Sequence, residues 1–160
     1  MSGPMPQREA IIIGYGFEYL VMALNCARSI RASNPDLPTT LITNLPVTQD
    51  AVGDWFDRIV VRDEPADWNR LVKTSVLDHT VADRVLYLDA DSEVDGDLDP
   101  AFRLLDHFDV ALKAHSTPVN KPFELADGVP GGVFGHFAGG MLLLRAGEPA
   151  AGFLAHWQRR

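Results

Sequence analysis

The chain has 160 residues, 46% of them hydrophobic, enough for one domain with a sizeable core. It carries 14 Lys and Arg against 22 Asp and Glu, a net charge of −8 at pH 7. An acidic chain without a long basic run is poorly suited to bind a nucleic-acid polymer or an anionic lipid surface. A single cysteine, Cys26, excludes a disulfide framework and a Cys-rich zinc site, and reads as a small buried apolar residue.

Residues 1–9 read as a polar, disordered lead without the apolar core of a secretory signal. No apolar run approaches the roughly 18 residues that span a bilayer, and a reducing cytoplasm is the expected location. The domain proper is expected over 10–160. Ala10 to Ile13 is a short apolar run ending at Gly14, which predicts a strand buried on both faces. Leu20, Ala23, Leu24, Ala27 and Ile30 lie on one helical face, so residues 17–32 are predicted helical, with Asn34-Pro35 as the stop. Thr39 to Thr43 predicts a second strand, and strand–helix–strand implies a right-handed parallel crossover.

A short helix over 48–57 and a strand over Arg58 to Val61 follow. A helix from Arg70 to His79 precedes the apolar strand Val85 to Leu88, which reads as central. Pro100 to Phe108 predicts a helical turn, with Asp99 as its cap. Asp109 to Lys113 alternates like a strand. The Gly- and Pro-rich stretch His115 to His136 predicts a long loop. Phe137 to Leu144 reads as a last strand and 148–160 as an amphipathic helix. This alternation predicts an α/β fold: a single Rossmann-like domain with a mainly parallel central sheet flanked by helices. Ligands collect at the C-terminal strand ends of such sheets.

Leu86-Tyr87-Leu88-Asp89-Ala90-Asp91 is the most informative segment. It sets two carboxylates two residues apart just past a buried strand. Mn²⁺ and Mg²⁺ take oxygen ligands and fill the rest of their shell with water and substrate phosphates, so Asp89 and Asp91 are the candidate metal ligands. Glu93, Asp95, Asp97 and Asp99 read as a solvated acidic loop. An EF-hand is excluded, because its twelfth position would be Phe102 instead of Glu and a strand precedes the loop. A haloacid-dehalogenase-type phosphatase also places Asp-x-Asp after a strand. Its pattern wants Thr or Val where Glu93 stands, and it normally uses the first strand.

The segment resembles the Asp-x-Asp element of GT-A nucleotide-sugar glycosyltransferases, particularly family eight. Other parts agree in order: Ala10 to Ser29, with Tyr19 and Ser29 in the usual spacing; the Arg70 to His79 helix; Phe102 to Asp106 with Asp109 to Ala111; Phe137 to Leu142; and the last helix with Phe153 and Trp157. The resemblance spans residues 10–158. It implies a hexosyltransferase-like enzyme that moves a sugar from a UDP-linked donor to an unidentified acceptor, with Mn²⁺ or Mg²⁺ on Asp89 and Asp91. Nucleotide binding would fall to Gly14, Tyr15, Gly16, Tyr19, Arg70, Lys73 and Ala90, and the donor sugar to Gly139 and Gly140. Tyr19 stands where a dinucleotide fingerprint needs its third glycine, so a nicotinamide cofactor is not expected.

The family commonly has a polar residue where Ala138 stands, and a later Asp-Gln pair and His that lie past Arg160. The chain is therefore expected to be a C-terminally short version of the fold. Glu124 and Asp127 are candidates for a catalytic base, which stays unassigned, and self-association stays open. Two alternatives remain beside the enzyme: a non-catalytic nucleotide- or metal-binding module, and phosphatase chemistry at Asp89.

Overall fold

The computed structural model describes residues 7–65, 68–114, 124–125, 129–130 and 137–159. Six strands form one sheet in the order β3-β2-β1-β4-β8-β5. β1 (Arg8–Ile13), β2 (Thr39–Thr43), β3 (Arg58–Val61) and β4 (Arg84–Asp89) pair in parallel. β1 begins at Arg8, so Arg8 and Glu9 belong to the sheet and not to a disordered lead. The Glu9 carboxylate is buried, where it accepts hydrogen bonds from Thr40 Oγ1 at 2.9 Å and the Val81 N–H at 3.0 Å.

Helix α1 (Gly16–Ser33) buries Leu20, Ala23, Cys26, Ala27 and Ile30 against Ala10, Ile12, Leu41, Leu86 and Leu88. Each fully buried Ile or Leu contributes about 1.5–3 kcal/mol. The helix ends where the Asn34 N–H reaches the Ile30 carbonyl at 2.7 Å, just before Pro35. The single turn α2 (Gln49–Val52) leads through a 3₁₀ turn into β3. α3 (Asn69–Val72) runs on as a 3₁₀ helix over Lys73–His79, where an α-helix is predicted. α3 packs on the other sheet face with α5 (Glu148–Gln158). There Val72, Val76, Ala150 and Leu154 meet Ile11, Ile13, Ile42, Val85, Tyr87, Leu142 and Leu144.

α4 (Asp99–Phe102) starts at Asp99, so Asp99 is not the cap. Its N–H bonds Asp97 Oδ1 at 2.8 Å, and its carboxylate pairs with Arg8. β5 (Val110–Ala114) then forms the sheet edge. Between β5 and the last strand, β6 (Glu124–Leu125) and β7 (Val129–Pro130) make a small antiparallel pair. Asp127, His115 and His136 lie outside the described residues, as do 1–6.

β8 (Phe137–Arg145) departs from the parallel pattern. It is antiparallel to both β4 and β5 and sits between them. A chain returning from the end at which β5 stops can lie beside it antiparallel without a crossover helix. This reversal brings the N-terminal half of β8, including Gly139 and Gly140, to the C-terminal end of β4. Leu88 pairs with Met141. On its other side, β8 breaks register with β5. Leu112 pairs with Leu142 but Lys113 with Ala138, so residues 139–141 bulge at this point.

Candidate functional site

Period-two alternation along β4 sends Leu86, Leu88 and Ala90 to the α1 face, and Val85 and Tyr87 to the α3–α5 face. Asp89 follows two residues after Tyr87, at the point where the strand leaves the core. Its Oδ1 accepts from Lys73 Nζ at 3.0 Å and from the Tyr87 hydroxyl. Burial above all, and then the Asp89 charge, push the Tyr87 phenol far above its ordinary range, so it stays a donor.

Lys73 is largely enclosed, its side chain 13% exposed against 37% for Asp89. Its ammonium lies 5.4 Å from the centre of the Tyr87 ring and 3.4 Å from the Gly139 carbonyl.

The two glycines of β8 make room for specific neighbours. A Cβ on Gly140 would lie 2.9 Å from Asp89 Oδ2, so that carboxylate rests where a side chain would otherwise be. A Cβ on Gly139 would lie 3.3 Å from the Trp157 ring and 3.8 Å from Lys73 Nζ. Close approach, which a glycine inside a strand suggests, is therefore met by the protein's own acid, cation and indole.

Ala90 is buried and Asp91 is exposed, with the turn closed by the Ser92 N–H on the Asp89 carbonyl at 3.0 Å. Asp91 borders two grooves. One, of about 730 Å³, runs between α1 (Met22, Asn25, Arg28) and the acidic loop. The other, of about 510 Å³, is bordered by Asp89, Asp91, Lys113, Gly140 and Met141. This second groove holds both carboxylates, the β8 glycine and a cation. The acidic side chains Glu93, Asp95, Asp97 and Asp99 are exposed as expected, but the loop backbone is fastened to α1. The Val94 N–H bonds Ser29 Oγ at 2.9 Å, the Leu98 N–H bonds Asn34 Oδ1 at 2.9 Å, and Asn34 Nδ2 bonds the Gly96 carbonyl at 2.9 Å. Cys26 is wholly buried, and burial pushes its thiol up to about 12, consistent with an inert packing residue.

Next to β4, the turn after β1 is built differently. A Cβ on Gly14 would meet the Tyr19 carbonyl at 3.1 Å and the Leu20 Cα at 3.2 Å, so this glycine lets α1 pack closely on the sheet. Gly16 has φ 77°, a left-handed value suited to glycine, and its N–H bonds Asn44 Oδ1 at 2.8 Å. Tyr15 is fully buried and its hydroxyl donates to Glu64. Asn44 Nδ2 bonds the Glu64 carbonyl at 3.0 Å, and Arg62 pairs with the Glu64 carboxylate. The Tyr15 hydrogen bond is the main cause that holds Glu64 below its ordinary value, while burial pushes Tyr15 up. Tyr19 is 44% exposed. Arg70 lies in α3; its side chain is outside the described set, as is that of Glu124.

The structure thus brings Asp89, Lys73, Gly139 and Gly140 together, with Asp91 beside them, and turns the Tyr15 side chain away into the core. Sequence reasoning missed Tyr87, Lys113, Asn44 and Glu64. Tyr87 alone had a local signal, since it falls on the same strand face as Asp89.

No family model and no curated protein sequence matches the chain. Solved structures do. Glycosyltransferase GlyE of Streptococcus pneumoniae TIGR4 superposes with TM-score 0.63 at 20% identity, over 95% of this chain and 37% of that one. Galactosyltransferase LgtC, solved with donor and acceptor sugar analogues, gives TM-score 0.55 at 19% identity, over 95% and 60%. A 4-diphosphocytidyl-2C-methyl-D-erythritol synthase from Anaerococcus prevotii DSM 20548 gives 0.55 at 10%, over 98% and 78%. The chain has the GT-A-like fold of these glycosyltransferases and spans less than two thirds of both GlyE and LgtC. A synthase of another kind shares that fold, so the reaction has to be argued from the site.

Proposed function

We propose that this domain is a metal-dependent glycosyltransferase of the family-eight kind, transferring a sugar from a UDP-linked donor to an acceptor. The observation that carries the reading is one juxtaposition. Asp89 ends the central strand directly against Gly140 of an antiparallel strand, with Lys73 on its carboxylate and Asp91 on the same groove. Among the described residues no group of three His, Cys, Asp or Glu is placed to hold a metal. The two carboxylates nonetheless suit Mn²⁺ or Mg²⁺, which complete their shell with diphosphate oxygens and water. When bound, the ion supplies a Lewis acid that neutralises the leaving diphosphate.

The protein's own groups do the rest. Lys73 pairs with Asp89 at that site and adds positive charge for the phosphates. The turn at Gly14 and Gly16, with the exposed Tyr19 on the first turn of α1, borders the base and ribose. Tyr15 supports that turn from beneath. Gly139 and Gly140 make room for Asp89, Lys73 and Trp157, the sugar would lie in the groove that Gly140 borders, and Lys113 adds a second cation there. No described helix is long and apolar enough to cross a membrane.

The test is thermal. Mn²⁺ with UDP at about a hundred times the dissociation constant is expected to raise Tm by about 5–10 °C. Asp89→Ala and Asp91→Ala are expected to remove that rise, and no rise in the native protein overturns the reading. UDP release from a UDP-sugar then separates an enzyme from a module that binds without turnover. Phosphate release from a simple phosphomonoester, lost in Asp89→Asn, identifies a phosphatase instead.

A further inference from the structure

Asp89 is already neutralised before any metal arrives. Lys73 Nζ lies 3.0 Å from its Oδ1, the Tyr87 hydroxyl donates to the same oxygen, and Oδ2 lies over Gly140. Without another anion the ammonium stays on this carboxylate. It is mostly enclosed, with the Tyr87 ring on one side and the Gly139 carbonyl at 3.4 Å as its other oxygen. An enclosed ammonium needs an anion within reach, because its lost hydration is otherwise uncompensated. A divalent cation approaching Asp89 therefore meets a positive charge already seated on the carboxylate, and among the described residues Asp89 is the one acid that ammonium pairs with.

We propose that Lys73 is a built-in counter-ion that competes with the divalent cation for Asp89, and that a nucleoside diphosphate relieves the competition by giving Lys73 a new anion. This rests on the reading of Asp89 and Asp91 as metal ligands. Binding of metal and of nucleotide is then coupled through Lys73. The diphosphate draws the ammonium off the carboxylate, Asp89 is freed for the metal, and each ligand tightens the other by the same factor. The exchange keeps the local charge near balance at every stage. Without nucleotide, Lys73 serves Asp89; with it, the metal does.

The experiment measures Mn²⁺ uptake by loss of the free-ion electron paramagnetic resonance signal, with and without UDP. It uses the native chain, Lys73→Met and Lys73→Arg. Lys73→Met is expected to bind Mn²⁺ alone at least about 5-fold tighter than native, and the factor by which UDP tightens Mn²⁺ is expected to fall by about as much. Lys73→Arg, which keeps the charge, is expected to keep the native pattern. If Lys73→Met does not melt cooperatively, Lys73→Gln takes its place. Mn²⁺ binding alone that is no tighter in the neutral variant, while UDP still promotes uptake in both proteins, overturns the proposal and leaves the site reading standing. A native chain that takes up neither Mn²⁺ nor UDP overturns both.

Discussion

Two turns lie side by side at the C-terminal edge of the sheet, since Ile13 of β1 is in register with Asp89 of β4. Both follow short buried strands. The turn after β1 is closed: Gly14 and Tyr15 are buried, and Asn44, Glu64 and Arg62 hold it from behind. The turn after β4 is open: Asp89 is partly exposed, Asp91 is exposed, and a groove runs along them. The first spends its polar groups on its own architecture. The second keeps carboxylate oxygens facing water, where a ligand can use them.

Substitutions in the two turns should therefore separate binding from stability. The largest effect is expected at Gly140→Ala, whose methyl would displace the Asp89 carboxylate. Mn²⁺ with UDP should bind about 10–100-fold more weakly, as when a supporting group beside a metal is disturbed. A calorimetric titration checks this, with a cooperative melt showing that the fold is kept. Gly14→Ala should act the other way. Its methyl meets backbone at 3.1–3.2 Å, so stability should fall by about 1–3 kcal/mol in urea unfolding. The Tm rise from Mn²⁺ and UDP should survive.

Tyr15→Phe removes the donor to Glu64 and should cost about 1.5–3 kcal/mol, the range for hydrogen bonds to charged groups. Urea unfolding of the ligand-free chain measures it. Binding that collapses while stability holds would break the distinction between the turns.

The smallest effect concerns pH. Glu64 is held below its ordinary 4.5, so its stabilising contribution is present above that value and lost as pH falls through the lower native one. His79, which receives Arg62 on its ring, is pushed below 6.5, chiefly by burial. Its unfolded form takes up protons first, so stability also declines as pH drops below 6.5. Glu64→Gln should flatten the acid limb of Tm against pH beneath 4.5 and leave the limb that starts near 6.5. Equal slopes in both proteins below 4.5 would remove Glu64 from the account.

The order of strands and helices, the buried face of α1, the inert Cys26 and the acid pair at a central strand end were legible in the sequence. All four are written in local periodicity: 3.6 for the helix, a continuous apolar run for the strand, and charge where the run stops. The partners were not legible. Lys73 meets Asp89 across 16 residues, Gly16 meets Asn44 across 28, and Tyr15 meets Glu64 across 49. No local pattern encodes which polar group a distant one will find. The reversed direction of β8 was likewise invisible, because an apolar strand reads the same whichever way it pairs. That reversal sets Gly139 and Gly140 against Asp89 and Lys73. Residue identities place the chemistry at a strand end, while the long-range pairing of β4 with β8 decides what surrounds it.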